Sequence, residues 1–208
     1  MFKKIGALVS LAALISLPMF ALAADYQAGT HYIVLDEPIK SSNAETVVVN
    51  EFFGYTCPHC NGFESQLHKW SSEQADDVTF MPIPVVFGRS WEPYAKAYFI
   101  ALSLGVLDQT HQAMYDAIHI DKRRITNQQA LAGFFAEHGV SKTDFDSAYD
   151  SFDLQNKLRQ GGRLAARAQI TGVPSMLVNG KYMVNATLAG SNEGMLAVVD
   201  YLVELENQ

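Results

Sequence analysis

Apolar positions along the chain fall in short continuous runs in some stretches and at helical spacing in others, which separates buried strands from amphipathic helices. Val47-Val48-Val49-Asn50-Glu51-Phe52-Phe53 is a β-branched and aromatic run and predicts a buried strand. Gly54 permits a tight exit. Thr56 is placed as an N-cap and Pro58 suits a first helical turn. Cys60, Phe63, Leu67 and Trp70 then share one face of a helix from about Cys57 to Glu73. Upstream, residues 24–30 read as a frayed start, and Tyr32-Ile33-Val34-Leu35 as a short strand broken by Asp36-Glu37-Pro38. Downstream, Val78-Thr79-Phe80-Met81 predicts a third strand, ending where Pro82 and Pro84 withdraw ladder donors. Strand, helix and strand at this spacing imply a parallel pair with a right-handed crossover.

From Trp91 to about Phe152 only helical patterning is found. Tyr94, Ala97, Tyr98, Ala101 and Leu102 recur at helical spacing. Thr126-Asn127-Gln128-Gln129 and Ser141-Lys142-Thr143-Asp144 read as capping boxes, giving four short helices. A further helix runs from about Asp153 to Gln169 with a kink expected at Gly161-Gly162. Ser175 to Val178 and Lys181 to Val184 flank Asn179-Gly180, a strong hairpin signal, and a last helix spans about Ser191 to Leu205. Strand–helix–strand followed by strand–strand–helix, with a cysteine pair opening the first helix, is an α/β, thioredoxin-like plan carrying an inserted all-helical domain. The expected boundaries are 24–88 and 155–208 for the thioredoxin-like domain and 89–154 for the insertion.

Composition adds a compartment. Lys3 and Lys4 precede an apolar run from Ile5 to Phe20, and Ala21-Leu22-Ala23 supplies small residues for cleavage. Residues 1–23 are therefore expected to be a signal peptide, in preference to a retained membrane anchor. Its removal leaves 185 of 208 residues and, with two lysines lost, moves the formal charge from −7 to −9. An acidic chain argues against nucleic-acid binding. The two cysteines, Cys57 and Cys60, enclose too little chain to restrict the unfolded state. An exported chain with a Cys-x-x-Cys pair points to a working redox-active disulfide instead of a staple.

The spacing carries chemistry. At the start of a helix, unpaired N–H groups and the helix dipole favour a Cys57 thiolate. Cys60, one turn on, lies deeper on the same face. Lowering a thiol pKa by ~3 units needs about 4 kcal/mol, whereas the dipole supplies about 0.3–1 kcal/mol, or ~2 when partly buried. His59 and direct N–H bonds to sulfur are therefore expected to supply the rest. About 4 kcal/mol corresponds to roughly 90 mV in the oxidising direction. Glu51 shares a strand face with Val47, Val49 and Phe53. It is expected beneath the dithiol with a raised pKa, able to relay the Cys60 proton; the strand Val78 to Phe87 offers it no cation. The Val173-Pro174 loop is expected to face the dithiol, where a substrate peptide adds as an extra strand.

At these residues the sequence resembles the DsbA family of periplasmic thiol oxidases. The resemblance covers the whole mature chain and rests on Phe52-Phe53, Cys57-Pro58-His59-Cys60, Gly172-Val173-Pro174, Val178-Asn179-Gly180-Lys181-Tyr182 and the helical insertion. The family is itself the type example of a very low cysteine pKa and an oxidising dithiol. It implies that Cys57 is the substrate-facing nucleophile, Cys60 the buried resolving cysteine and Glu51 a buried acid. A cis bond between Val173 and Pro174 is implied as well. The implied setting is the periplasm, with no cofactor. The implied partners are unfolded, reduced exported proteins and a quinone-linked membrane re-oxidant of the DsbB type, and the chain is expected to act as a monomer. Alternatives are a thioredoxin-like reductase or isomerase, or a non-enzymatic peptide-binding chaperone module. A zinc site lacks ligands, and covalent haem needs a His where Asn61 stands. His31, His68, His111, His119 and His138 are expected on solvated faces or at helix caps.

Overall fold

The computed structural model describes residues 26–41, 43 and 45–208; the expected signal peptide and its cleavage point lie outside them. In chain order the elements are β1 (Ile33–Val34), β2 (Val47–Phe53), α1 (Pro58–Ser72), β3 (Val78–Pro84), α2 (Glu92–Ser103), α3 (Leu107–His119), α4 (Gln128–Glu137), α5 (Lys142–Tyr149), α6 (Phe152–Arg167), β4 (Ser175–Val178), β5 (Tyr182–Asn185), α7 (Ala186–Ala189) and α8 (Asn192–Glu206). One sheet has the order β1-β5-β4-β2-β3. β2 pairs parallel with β3 and antiparallel with β4, so it is central and buried along its whole length.

Alternation along β2 feeds different cores. Val47 and Val49 pack with Phe63, Leu67 and Trp70 of α1 and with Val199 and Leu202 of α8. Phe52, on the opposite face, packs with Ile83, Leu177 and with Ala165 of α6. Phe53, at the strand end, joins a cluster that contains Cys57, Cys60 and the inward faces of α2 to α5. The dithiol thus sits where the sheet meets the inserted helices. Among the described residues, no helix is long and apolar enough to cross a membrane.

Several local expectations are corrected. β3 continues through both prolines to Pro84. It is the edge strand, and Val85 N–H donates to the Phe53 carbonyl at 2.9 Å. Alternate residues of a parallel strand bond the same neighbour, so the nitrogens of Pro82 and Pro84 face the open edge, where no donor is needed. α1 begins at Pro58 with Cys57, not Thr56, at the N-cap. Asn127, not Thr126, caps α4, whereas Ser141 caps α5 as expected. α6 runs unbroken as a helix through Gly161-Gly162, with Gly161 buried against Ile83. Tyr26 packs edge-on against His31 and Tyr201, which ties down the supposed frayed start. At the hairpin, Asn179 and Gly180 both take positive φ, 47° and 67°, the geometry of a type I′ turn. The short α7, capped by Asn185, was not anticipated.

Candidate functional site

The exit of β2 builds the site. Gly54 leaves room for Trp91; a Cβ there would stand 2.1 Å from the indole ring. The Cys57 N–H donates back to the Gly54 carbonyl at 2.9 Å, and Asn61 N–H donates to the Cys57 carbonyl at 3.1 Å, starting α1. Cys57 is extended at φ −83° and ψ 118°, the usual conformation of an N-cap. Its sulfur therefore occupies the place where a Ser or Asp oxygen would meet the first free N–H groups. Pro58, at the first helical position, has no N–H to satisfy.

The two thiols are unbridged and unlike. Cys57 is 8% exposed and Cys60 1%. The Cys57 thiol is lowered to about 6. The main cause is the Cys60 thiol bonded to it; burial opposes, and the N–H groups of Cys60 and His59 assist. The exposed His59 imidazole contributes least, so the expectation that it carries a major share is corrected. The sulfur closes no capping hydrogen bond to those N–H groups. Its proton is turned instead to the Val173 carbonyl at 3.4 Å. The N–H dipoles still favour the charged form. Bonding to Cys57, then burial, then the charge of Glu51 push the Cys60 thiol far up. One sulfur ionises readily while its partner keeps its proton.

Val173-Pro174 is cis and brings the Val173 carbonyl to Cys57. The Ser175 hydroxyl closes the loop by donating to the Gly172 carbonyl at 2.8 Å. Glu51 is 1% exposed. Burial first, then the neighbouring Glu64, hold its carboxyl well above the usual range. Its partner in register on β3 is Pro82, so the strand offers no cation.

Sequence reasoning missed the groups under the dithiol. His111 is not on a solvated face. Its Nδ1 lies 2.6 Å from Tyr55 Oη and its Nε2 3.3 Å from Glu64 Oε2. His119 Nε2 reaches the Tyr55 carbonyl at 2.7 Å. Glu64 follows Cys60 by four residues and so lies on the inward stripe of α1. His111 precedes the buried Tyr115 by four. A polar residue at core spacing was the available signal.

Comparison with known proteins places this geometry among relatives. The DSBA-like thioredoxin domain family model matches residues 93–193. The thiol:disulfide interchange protein DsbA of Pseudomonas aeruginosa is 38% identical over 188 residues, covering 90% of this chain and 89% of that protein. DsbA of Azotobacter vinelandii is 36% identical over 183 residues, covering 88% and 86%. The crystal structure of Pseudomonas aeruginosa DsbA superposes with a TM-score of 0.85 at 37% identity, covering 89% of this chain and 96% of that one. The oxidoreductase DsbA from Xylella fastidiosa gives 0.82 at 34% identity, covering 88% and 98%.

Proposed function

The chain belongs to the DsbA family of thiol:disulfide interchange proteins, and from that premise we propose that its Cys57-Pro58-His59-Cys60 segment donates a disulfide to reduced, newly exported proteins through a mixed disulfide on Cys57. The observation that carries this reading is the inequality of the two sulfurs. Cys57 caps α1 at the rim, against the Val173 carbonyl, and Cys60 is sealed behind it.

A substrate thiolate attacks Cys57 Sγ, the Cys57–Cys60 bond breaks, and the electron pair leaves on Cys60. The second substrate thiolate then attacks the substrate sulfur of the mixed disulfide and expels Cys57. A thiol of low pKa is a good leaving group, so release favours the oxidised substrate. Pro58 keeps the first helical turn open at the sulfur. The half-buried backbone edge at Val173, ahead of the buried Pro174, holds the substrate chain in extended form. Glu51 accepts and returns the Cys60 proton.

The same reading sets the partners and the place. Unfolded reduced exported proteins are the substrates. A quinone-linked membrane protein of the DsbB type restores the disulfide, and the protein works as a monomer in the periplasm. Residues 24–88 and 155–208 carry the redox chemistry, and 89–154 form the helical cover.

A redox titration against glutathione, paired with oxidation of a reduced unfolded protein, tests the proposal. The expected result is an oxidising potential and stoichiometric transfer that Cys57→Ser abolishes. A potential in the thioredoxin range makes it a reductase. Full activity of Cys57→Ser in cells makes it a peptide-binding chaperone.

A further inference from the structure

Beneath the dithiol, three elements gather ionisable side chains around a cleft of about 460 Å³. β2 supplies Glu51, α1 supplies Glu64 and His68, and α3 supplies Asp108 and His111; among the described residues no lysine or arginine lines it. Glu51 and Glu64 are 1% and 8% exposed. Two neighbouring buried carboxylates without a cation cannot both hold charge readily. Among the described residues, His111 Nε2 is the nitrogen within ion-pair reach of either acid, 3.3 Å from Glu64 Oε2.

The imidazole is also held in place. Tyr55 Oη stands 2.6 Å from Nδ1. The rings of Phe53, Tyr98 and Tyr115 meet it edge-on at 5.5, 5.9 and 5.5 Å. Its side chain keeps 18% exposure, so it touches a buried acid on one side and the open cleft on the other. Among the described residues, Glu64 Oε2 and Tyr115 Oη are buried and make no hydrogen bond, so the 3.3 Å approach of His111 Nε2 to Glu64 is an ion-pair contact and not a hydrogen bond.

We propose that His111 is the proton-transfer group that couples the buried acids under the dithiol to solvent during thiol–disulfide exchange. It acts through Glu64 and Glu51 and is a positioning residue. The inference rests on the reading of Cys57 and Cys60 as the exchanging pair. When substrate sulfur bonds Cys57 and Cys60 departs as thiolate, Cys60 takes the proton of the Glu51 carboxyl. Glu51 is then re-protonated through Glu64 and His111 from the cleft. Two electrons pass from the substrate dithiol to the protein. The substrate yields two protons: one is matched by that retained on Cys60, and the other goes to solvent as Cys57 leaves as thiolate. Imidazole both gives and takes a proton near neutral pH, and the His111 ring joins a buried acid on one side to the open cleft on the other. The titratable groups around the ring and its cleft are Glu64 and His68 from α1, Glu51 from β2, Tyr55 from the loop, Tyr98 from α2, and Asp108 and Tyr115 from its own helix. β3 presents Phe80 and Pro82, which carry no charge.

The test is single-turnover oxidation of a reduced dithiol peptide by the full oxidised protein and its His111→Gln variant, from pH 5 to 8. The variant is expected to be about a hundredfold slower at neutral pH, the low end of general acid–base effects. Its glutathione equilibrium should stay within about twofold of the parent, because the exchanging sulfurs are unchanged. Added imidazole should restore the rate, and pyrazole, a ring of the same size that stays neutral, should not. An unchanged rate and pH profile overturns the proposal. So does a slow variant that imidazole does not rescue and whose melting temperature falls in step, which makes His111 a packing residue. If the parent protein itself fails to oxidise the peptide, the exchange reading falls first, and the His111 result is not needed to see it.

Discussion

The energetics of exchange turn on the free energy that Cys57 contributes at the pH where it works. Its thiol titrates at about 6 against an ordinary 9.0. The roughly 4 kcal/mol expected of a ~3-unit shift is realised in full only above the unfolded value. At pH 7 the linkage is roughly 1.4 kcal/mol, and solvent at the rim lowers it to about 1 kcal/mol. The sign follows from the depressed value. Stability of the reduced fold is fully present above the unfolded thiol pKa and is lost as pH falls through about 6. Calorimetry of the reduced and oxidised protein from pH 5 to 9 should show the reduced form gaining on the oxidised as pH rises. Their melting temperatures should separate by a further ~2–4 °C by pH 7. A gap that ignores pH would mean Cys57 titrates like a free thiol. Cys57, Cys60 and Glu51 were legible in the sequence because strand run and helix start are contiguous there. His59 was overvalued because its exposure is set by tertiary packing. The burial of His111 is signalled by its four-residue spacing from Tyr115, but its approach to Glu64 exists only because α3 lies across α1, a contact no local spacing encodes.

Elements were legible wherever period and terminus agreed. α5 shows this: Ser141 Oγ accepts from Asp144 N–H at 3.1 Å, the N-cap half of the box its sequence announces, while the Asp144 carboxylate accepts from the Ser141 hydroxyl at 2.7 Å in place of the backbone N–H that a full box would use. β3 outruns its sequence signal because proline interrupts an interior strand but is tolerated on an edge strand, and β3 lies at the sheet edge. The helix start was misplaced by one residue because a sulfur, not the Thr56 hydroxyl, takes the N-cap. The β2-to-α1 turn depends on Gly54 more than on any cap, since Trp91 fills the space a side chain would need. A rigid indole yields only by shifting α2, whose N-cap is Trp91 itself. Gly54→Ala is therefore expected to destabilise by about 1–3 kcal/mol, the range for overpacking a filled site. It should also alter Trp91 fluorescence, measured alongside urea denaturation. A neutral Gly54→Ala would show that the turn has slack the packing does not suggest.

At the scale of the molecule, the helical cover and the sheet share side chains instead of merely touching. One continuous apolar cluster contains Phe53 from β2, both cysteines, Tyr98 and Ile100 of α2, Tyr115 of α3, Phe134 and Phe135 of α4, and Phe145 of α5. Separate folding of the insertion would strip that cluster of its strand end and leave Phe53 and Cys60 facing water. The cost of exposing such side chains is about 1.5–3 kcal/mol each, a large part of a typical total of about 5–15 kcal/mol. One cooperative transition is therefore expected despite the intervening helices. The two tryptophans report on it from different places: Trp70 packs with α1 and α8, and Trp91 packs between the strand end and the helices. Trp70→Phe and Trp91→Phe each leave a single reporter, and the two denaturation curves should coincide once corrected for the stability change of each variant. Adding Phe135→Ala, which empties a fully buried position far from both indoles in sequence, should move both curves together by about 3–5 kcal/mol. If only the Trp91 curve moves, the cover unfolds on its own and the dithiol can be exposed without loss of the sheet.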